Sequence, residues 1–462
     1  MKKFLAMAGV VMFAIAFVAG DVFAAAEAYN FANSVEYTRT QSRNATTATV
    51  DSVYYNPAGL VKLGDGLYLQ IADQMGMKKF AHRYRPYNRE YSDKVFIPLI
   101  PNGAVVYKKD RAAIFGSMDV PAGGGEISVE DKYVGIPMAT TGFSHKLQAL
   151  GVGVVGLDAA SHSLSFTGAN ITKLWAKNLW SRMTAGGSFL LTDSLAFTGG
   201  IRLAQMFDWR KGWANFTQGG IPTFVRGQVL DQYTRLTGFN GFFGTMFIPT
   251  ESVKITALYN TENVARGTMI DYGYKNFLPE KYRKSAAEKS LPAYVAVGLA
   301  VKPAEIVEVQ VSFDYVFSGE VKLGSGYTPN LTTHSLDYTA YPYAVYDTLV
   351  GVAKGYYLNK KQKDQMRLGV GFEFFLGKLK PSIGFSLITP NTRSTVWNQD
   401  MLVKPELFEF AVGLGLQYAI TDNMSIDIAA AKHFYRQEKY GFGLARLSRD
   451  ITNFGLGLTT KI

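Results

Sequence analysis

The side chains able to do covalent or metal chemistry are few and poorly placed for it. The chain has no cysteine, which removes disulfides, thiolate nucleophiles and thiolate metal ligands together. Its five histidines, His82, His145, His162, His334 and His433, are scattered, with none at metal-ligand spacing from another. Serine catalysis needs a histidine base within reach of the hydroxyl. Ser144-His145 and Ser161-His162-Ser163 come nearest, but neighbours on a strand point to opposite faces, so neither pair could meet there. Glu308, Asp314 and Glu373 have the chemistry of acid–base pairs, yet a polar lumen accounts for them better. No catalytic residue, metal or cofactor is expected, and binding chemistry is what remains. Arg202 and Arg367 could each pair a ligand carboxylate, or a wall carboxylate such as Glu308 or Glu373. Two further segments join aromatic residues to basic ones. In 209–237, Trp213, Phe216 and Phe224 stand beside Arg210, Lys211 and Arg226; in 264–291, Tyr272 and Phe277 stand beside Lys275, Lys281 and Arg283. An apolar groove with a cationic edge suits an amphipathic acid, and an interfacial loop with no ligand has the same composition.

The elements that must hold these residues begin with an export signal. Lys2 and Lys3 precede the apolar stretch Phe4 to Ala19, and Val22 to Ala26 offers small-residue cleavage sites. Residues 1–24 read as a signal peptide, with cleavage after Ala24 or Ala26. Residues 25–63 are rich in small polar residues, have little apolar periodicity, and read as a plug.

From Gly66 onward the period becomes two. In Phe408 to Tyr418 one face is wholly large and apolar, and the other is Glu409, Ala411, Gly413, Gly415 and Gln417. The pattern predicts single strands at 65–75 and 453–462 and six hairpins between them. These are 100–109 with 111–120, 183–190 with 195–207, 238–247 with 253–263, 292–302 with 306–317, 365–376 with 379–388, and 406–419 with 423–434. The stretch 133–170, with poorer alternation, would raise the count from 14 to 16. Hydrophobic residues make up 47% of the chain, yet no internal run reaches the roughly 18 needed for a membrane helix.

Neither Met366, Leu368, Val370, Phe372 and Phe374 nor Pro381, Ile383, Phe385 and Leu387 on the next strand has a helix or second sheet to cover it. The opposite faces carry Arg202, Lys254, Glu308, Asp314, Arg367, Glu373 and Asp427, which a dry sandwich core could not tolerate. A closed antiparallel barrel, apolar outside and polar inside, satisfies both faces in lipid. Short turns such as Leu191 to Ser194 belong on the periplasmic side. The long connections, which hold all five tryptophans, belong outside. The net charge of +11 forms no basic stripe, which argues against nucleic acid; it suits cationic loops on a polyanionic lipid surface or a plain solvated excess.

Between signal and first strand lies Ser52-Val53-Tyr54-Tyr55-Asn56-Pro57-Ala58-Gly59-Leu60. Asn-Pro favours a turn because proline pushes the preceding residue out of the helical region. Ala58 and Gly59 leave the chain slim enough to press on another backbone. With Ile100-Pro101-Asn102 opening the second strand and Val120-Pro121-Ala122-Gly123-Gly124-Gly125 ending the third, this motif resembles the FadL family of outer-membrane long-chain fatty acid transporters. The chain departs from the family in ending on Ile462, where members usually carry phenylalanine.

The resemblance implies an all-β fold, a 14-stranded antiparallel transmembrane barrel over 64–462 with its plug at 25–63, in the outer membrane of a Gram-negative bacterium. It implies passive uptake of long-chain fatty acids or similar hydrophobic molecules, caught by the loops carrying Trp213, Phe216, Phe224, Tyr272 and Phe277. Asn56, Pro57, Ala58 and Gly59 would gate, and the ligand would leave sideways past a kinked third strand at Gly116, Ser117, Pro121 and Gly123. The plug turn is expected to brace that strand near Ser117. Implied partners are the ligand, the bilayer with its lipopolysaccharide, and the outer-membrane barrel assembly machinery. Aromatic hydrocarbons are the alternative cargo. A general porin is the alternative function, and a plug argues against it.

Overall fold

The computed structural model describes residues 24–25, 32–84, 89–130, 168–217, 227–272, 284–318, 363–390, 407–440 and 445–462. Fourteen strands form one closed antiparallel barrel. They are β1 (Gly66–Tyr84), β2 (Arg89–Lys109), β3 (Ala112–Asp119, continued by Gly123–Glu130), β4 (Gly168–Thr192), β5 (Leu195–Thr217) and β6 (Gly227–Thr250). Next come β7 (Val253–Asn260, continued by Asn263–Asp271), β8 (Lys284–Leu291, continued by Tyr294–Ala304), β9 (Val307–Val316) and β10 (Gln365–Phe374). The last are β11 (Leu379–Ile388), β12 (Glu409–Thr421), β13 (Met424–Tyr435, with Glu438–Tyr440) and β14 (Ala445–Lys461). Each pairs with the next, and β14 closes on β1 from Lys461 opposite Tyr68 to Ala445 opposite Tyr84. Closure leaves no edge strand, the condition a sheet must meet in hydrocarbon.

The two faces follow the predicted alternation. Met366, Leu368, Ile383, Phe385 and Leu387 are exposed outward, with Phe385, Phe410 and Phe434 stacked across β11 to β13. Arg202, Glu308, Asp314, Arg367, Glu373 and Asp427 are buried inward. No helix among the described residues is long and apolar enough to cross a membrane.

Two expectations change. Ala112–Asp119 pairs directly with Arg182–Phe189, so no extra pair of strands enters the wall between β3 and β4; residues 131–167 lie outside the described residues. And the connections 76–99, 209–237, 264–291 and 435–452 are in large part strand. The β1–β2 ladder runs on to Tyr84 opposite Arg89, and β5–β6 to Ala214 opposite Gly227.

Residues 32–63 fold inside the barrel. Helix α1 (Val35–Thr40) is capped by Ser34, whose Oγ accepts from the Tyr37 N–H at 3.0 Å, and it ends on Gln41 in the left-handed region (φ 54°). Helix α2 (Ser52–Tyr55) leads through Asn56 into a 3-10 turn, Pro57–Lys62. Proline at that first position suits a helical turn, since its missing N–H has no intrahelical partner to lose.

Candidate functional site

The lumen has two unlike sides, and the plug is seated on the polar one. Helix α1 lies against β11 to β14, where inward glycines let backbone meet backbone. A Cβ on Gly384 would stand 1.7 Å from the Thr40 carbonyl oxygen, and one on Gly413 would stand 2.2 Å from that of Thr38. Charge locks the seat. Glu373 receives Arg39 on one oxygen and Arg43 on the other, both at 2.8 Å, and Arg39 also reaches Asp427 at 3.2 Å. Arg43 is held from its far side by Asp51 at 2.7 Å. Arg367 pairs with Asp314 and donates to the Tyr37 hydroxyl at 2.9 Å and the Gln41 carbonyl at 3.2 Å. Its guanidinium carbon lies 5.0 Å from the Tyr37 ring centroid. Of the two arginines singled out in the sequence, this one is committed to the plug.

The Asn56-Pro57-Ala58-Gly59 turn rests mainly against β4 to β6 and also touches β3. Ser188 donates to the Pro57 carbonyl at 2.7 Å, and Ala58 packs with Ala196 and Met246. Asn56 closes the plug on itself by donating to the Thr46 carbonyl at 2.9 Å. Gly59 is needed for the slimness expected of it, because a Cβ there would sit 2.5 Å from that same carbonyl oxygen. The preceding helix, α2, also meets β3. The motif states a shape and carries no address, so its partners Ser188, Ala196 and Met246 were not legible from it.

Apolar residues line the other side. Trp180, Met206, Leu236, Phe242, Leu291 and Val316 form one buried cluster with Tyr54 and Tyr55 of the plug. Arg202 stands in this wall, 1% exposed. Arg39, Arg43, Arg182 and Arg367 each face a carboxylate. Among the described residues no ion pair involves Arg202. One terminal nitrogen donates to Asn260 Oδ1 at 2.6 Å and Tyr294 Oη at 2.9 Å, both neutral. Its Nε has no partner, and its guanidinium carbon lies 4.6 Å from the Phe242 ring centroid.

Two bulges build this place. β7 breaks at Thr261-Glu262 and β8 at Pro292-Ala293, so Asn260 and Asn263 both turn inward, as do Leu291 and Tyr294. A bulge re-aims side chains in this way. Asn240 donates to Asn260 Oδ1 at 3.0 Å and receives Asn263 Nδ2 at 3.0 Å, while Asn263 Oδ1 has no partner. The uncharged asparagines and Tyr294 gave no sign of importance in the sequence. Pro292 inside a strand pattern was the available signal, because proline cannot donate to a ladder.

The β2–β3 ladder ends at Gly103 opposite Met118. Beyond that point β2 keeps β1, while β3 keeps β4 and passes Val120-Pro121-Ala122 before resuming at Gly123. A two-residue strand, Ala24–Ala25, pairs with Gly124 and Gly123. Gly116 and Ser117 thus precede the break, with Pro121 at it and Gly123 after it. Met118 and Val120, outward by alternation, are 1% and 3% exposed, and Val120 packs with Leu179, Leu99, Ile100 and Phe207.

Trp213 and Phe216 fall on the outer end of β5, and Tyr272 follows β7 and is exposed. Phe224 and Phe277 lie outside the described residues, as do His145, His162 and His334. His433 pairs with Glu409 at 2.6 Å.

No protein-family model and no curated protein sequence matches this chain. Solved structures do. A Pseudomonas aeruginosa FadL homologue is 14% identical, covering 95% of this chain and 99% of its own, with a TM-score of 0.60. The Ralstonia pickettii toluene transporter TbuX is 13% identical, covering 93% and 97%, with a TM-score of 0.57. The Pseudomonas putida toluene transporter TodX is 13% identical, covering 90% and 94%, with a TM-score of 0.54. The chain therefore has the plugged 14-stranded fold of the FadL homologue and of these toluene transporters, the architecture that its Tyr54 to Leu60 motif resembles.

Proposed function

We propose that this protein is a passive outer-membrane transporter for hydrophobic molecules, and that its cargo is a long-chain acid. The outward apolar band, the closed wall and the buried plug support the first part. Arg202 carries the second. A buried cation left without a counter-ion costs several kcal/mol, so a wall that keeps one in an apolar cluster suits a visiting anion. A carboxylate on Arg202 would find the free Nε, with Asn260, Asn263 and Tyr294 around it and the apolar cluster for its tail.

The rival cargo, an aromatic hydrocarbon, has no use for that charge. Uptake of labelled oleate and labelled toluene by cells expressing the wild type and Arg202→Gln separates the two. A charge-assisted hydrogen bond is worth about 1.5–3 kcal/mol, so oleate uptake should fall on the order of tenfold or more, with toluene entry unchanged. Toluene entry without oleate uptake in the wild type would transfer the assignment to hydrocarbons.

A further inference from the structure

The seam where β2 and β3 part is lined on its inner side by polar residues. Asn102 is the first inward residue of β2 beyond the last pair, and Ser117 and Asp119 are the last two inward residues of β3 before its break. Asp119 is taken by Arg182, whose Nε donates to it at 2.9 Å. Asn102 is 2% exposed, and neither its amide nitrogen nor its oxygen has a partner; Ser117 Oγ, fully buried, has none either. Tyr54 of the plug packs in the same buried cluster as Ala104 of β2 and Ala122 at the break of β3, and its buried hydroxyl is also unpartnered. Burial first, and then the Asp119 carboxylate, push the Tyr54 phenol well above its ordinary pKa, so it keeps its proton.

Buried polar groups are ordinarily paired. Here Asn102 and Ser117 on the wall and Tyr54 on the plug leave four buried atoms without partners. We propose that Tyr54, Asn102 and Ser117 form a head-group site at the inner mouth of the β2–β3 seam, which takes the carboxyl of a long-chain acid in its neutral form. This rests on the acid cargo proposed above.

Three features choose the neutral form. The nearest charges, Asp119 and Arg182, already cancel. Two hydroxyls and an amide can donate and accept, which matches a carboxylic acid with both a donor and acceptors. And the outer side of the seam is apolar, made by Val120, Leu179, Leu99, Ile100 and Phe207, where an ionised head would meet a far larger penalty than a neutral one. Arg202 and this site then play different parts, one holding the anion within the lumen and the other the acid once it has left Arg202 and taken a proton from water.

The test is the double variant Asn102→Leu, Ser117→Ala in the full-length protein. Removing unpartnered polar atoms should leave heat-modifiable folding unchanged. Labelled oleate uptake should fall at least fivefold, with toluene entry as in the wild type. An oleate analogue with a diazirine beside its carboxyl should label the peptides around residues 102 and 117 in the wild type and lose that labelling in the variant. Unchanged oleate uptake in the variant, or an equal fall for oleate and toluene, overturns the head-group site and leaves the acid cargo standing. A wild type that takes up no oleate removes the acid cargo itself.

Discussion

At the scale of single residues, the lumen separates charges paired in the plug seat from Arg202, which faces no carboxylate among the described residues. Glu373 belongs to the first kind. Replacing it with alanine leaves Arg39 without its strongest partner and Arg43 with Asp51 alone, and breaking such a buried pair costs roughly 3–5 kcal/mol. The expected result of Glu373→Ala is a barrel that still folds, since its ladders are untouched, with a plug that leaves its seat often; channel openings in planar bilayers report this. Glu36 makes the seat sensitive to pH. It is buried, with one oxygen accepting from Gln70 at 2.6 Å and the other unpartnered. Burial first, and then the carboxylates of Asp51 and Asp427, raise its pKa well above the ordinary 4.5, against the opposing pull of Arg43 and Arg39. A seated plug therefore holds this proton more tightly than a released one. Seating is strongest at acid pH and weakens as pH rises from about 4.5 through the raised value. Openings should grow more frequent as pH rises above about 4.5, and Glu36→Gln should flatten the trend. Openings that become rarer over that range would contradict it. These roles were only partly legible: the sequence shows charged residues on inward faces, but not which arginine is paired.

At the scale of elements, the plug is seated by absence of side chains as much as by charge. The inward positions Gly384 and Gly413 read in the sequence as merely small, and only the folded barrel shows the carbonyls of Thr40 and Thr38 lying on them. Gly384→Val should fold as a barrel yet fail to seat α1. Limited proteolysis near residues 35–45 measures this, with rapid cleavage expected in the variant and slow cleavage in the wild type. Strand ends were less legible than strand centres. Between 65–75 and 100–109 the alternation is apolar and clear, but Lys78-Lys79 and Arg89 to Lys94 carry the ladder onward with charged and polar residues. Strands that extend past the hydrocarbon need no apolar face, so period two disappears while the hydrogen bonds continue. The bulges at Thr261-Glu262 and Pro292-Ala293 escaped for a related reason, because an inserted residue interrupts the period that identifies a strand.

At the scale of the whole molecule, closure and sidedness were readable because lipid imposes them on every strand at once. The fourteen strands, the outward apolar rows and the inward charged rows follow from that single constraint. What each inward residue touches depends on contacts between segments far apart in the chain, such as Arg43 with Glu373 or Tyr37 with Arg367, and alternation carries no information about those. The fold divides its lumen into a polar seat at β9 to β14 and a side at β3 to β8 that carries most of the apolar cluster. A filled lumen distinguishes a transporter of hydrophobic molecules from a water-filled pore. Conductance in planar bilayers measures that filling directly. The intact protein should give small or rare openings, and deletion of residues 25–60 should raise conductance sharply. A wide, steady channel in the intact protein would contradict the plugged transporter and favour a general porin.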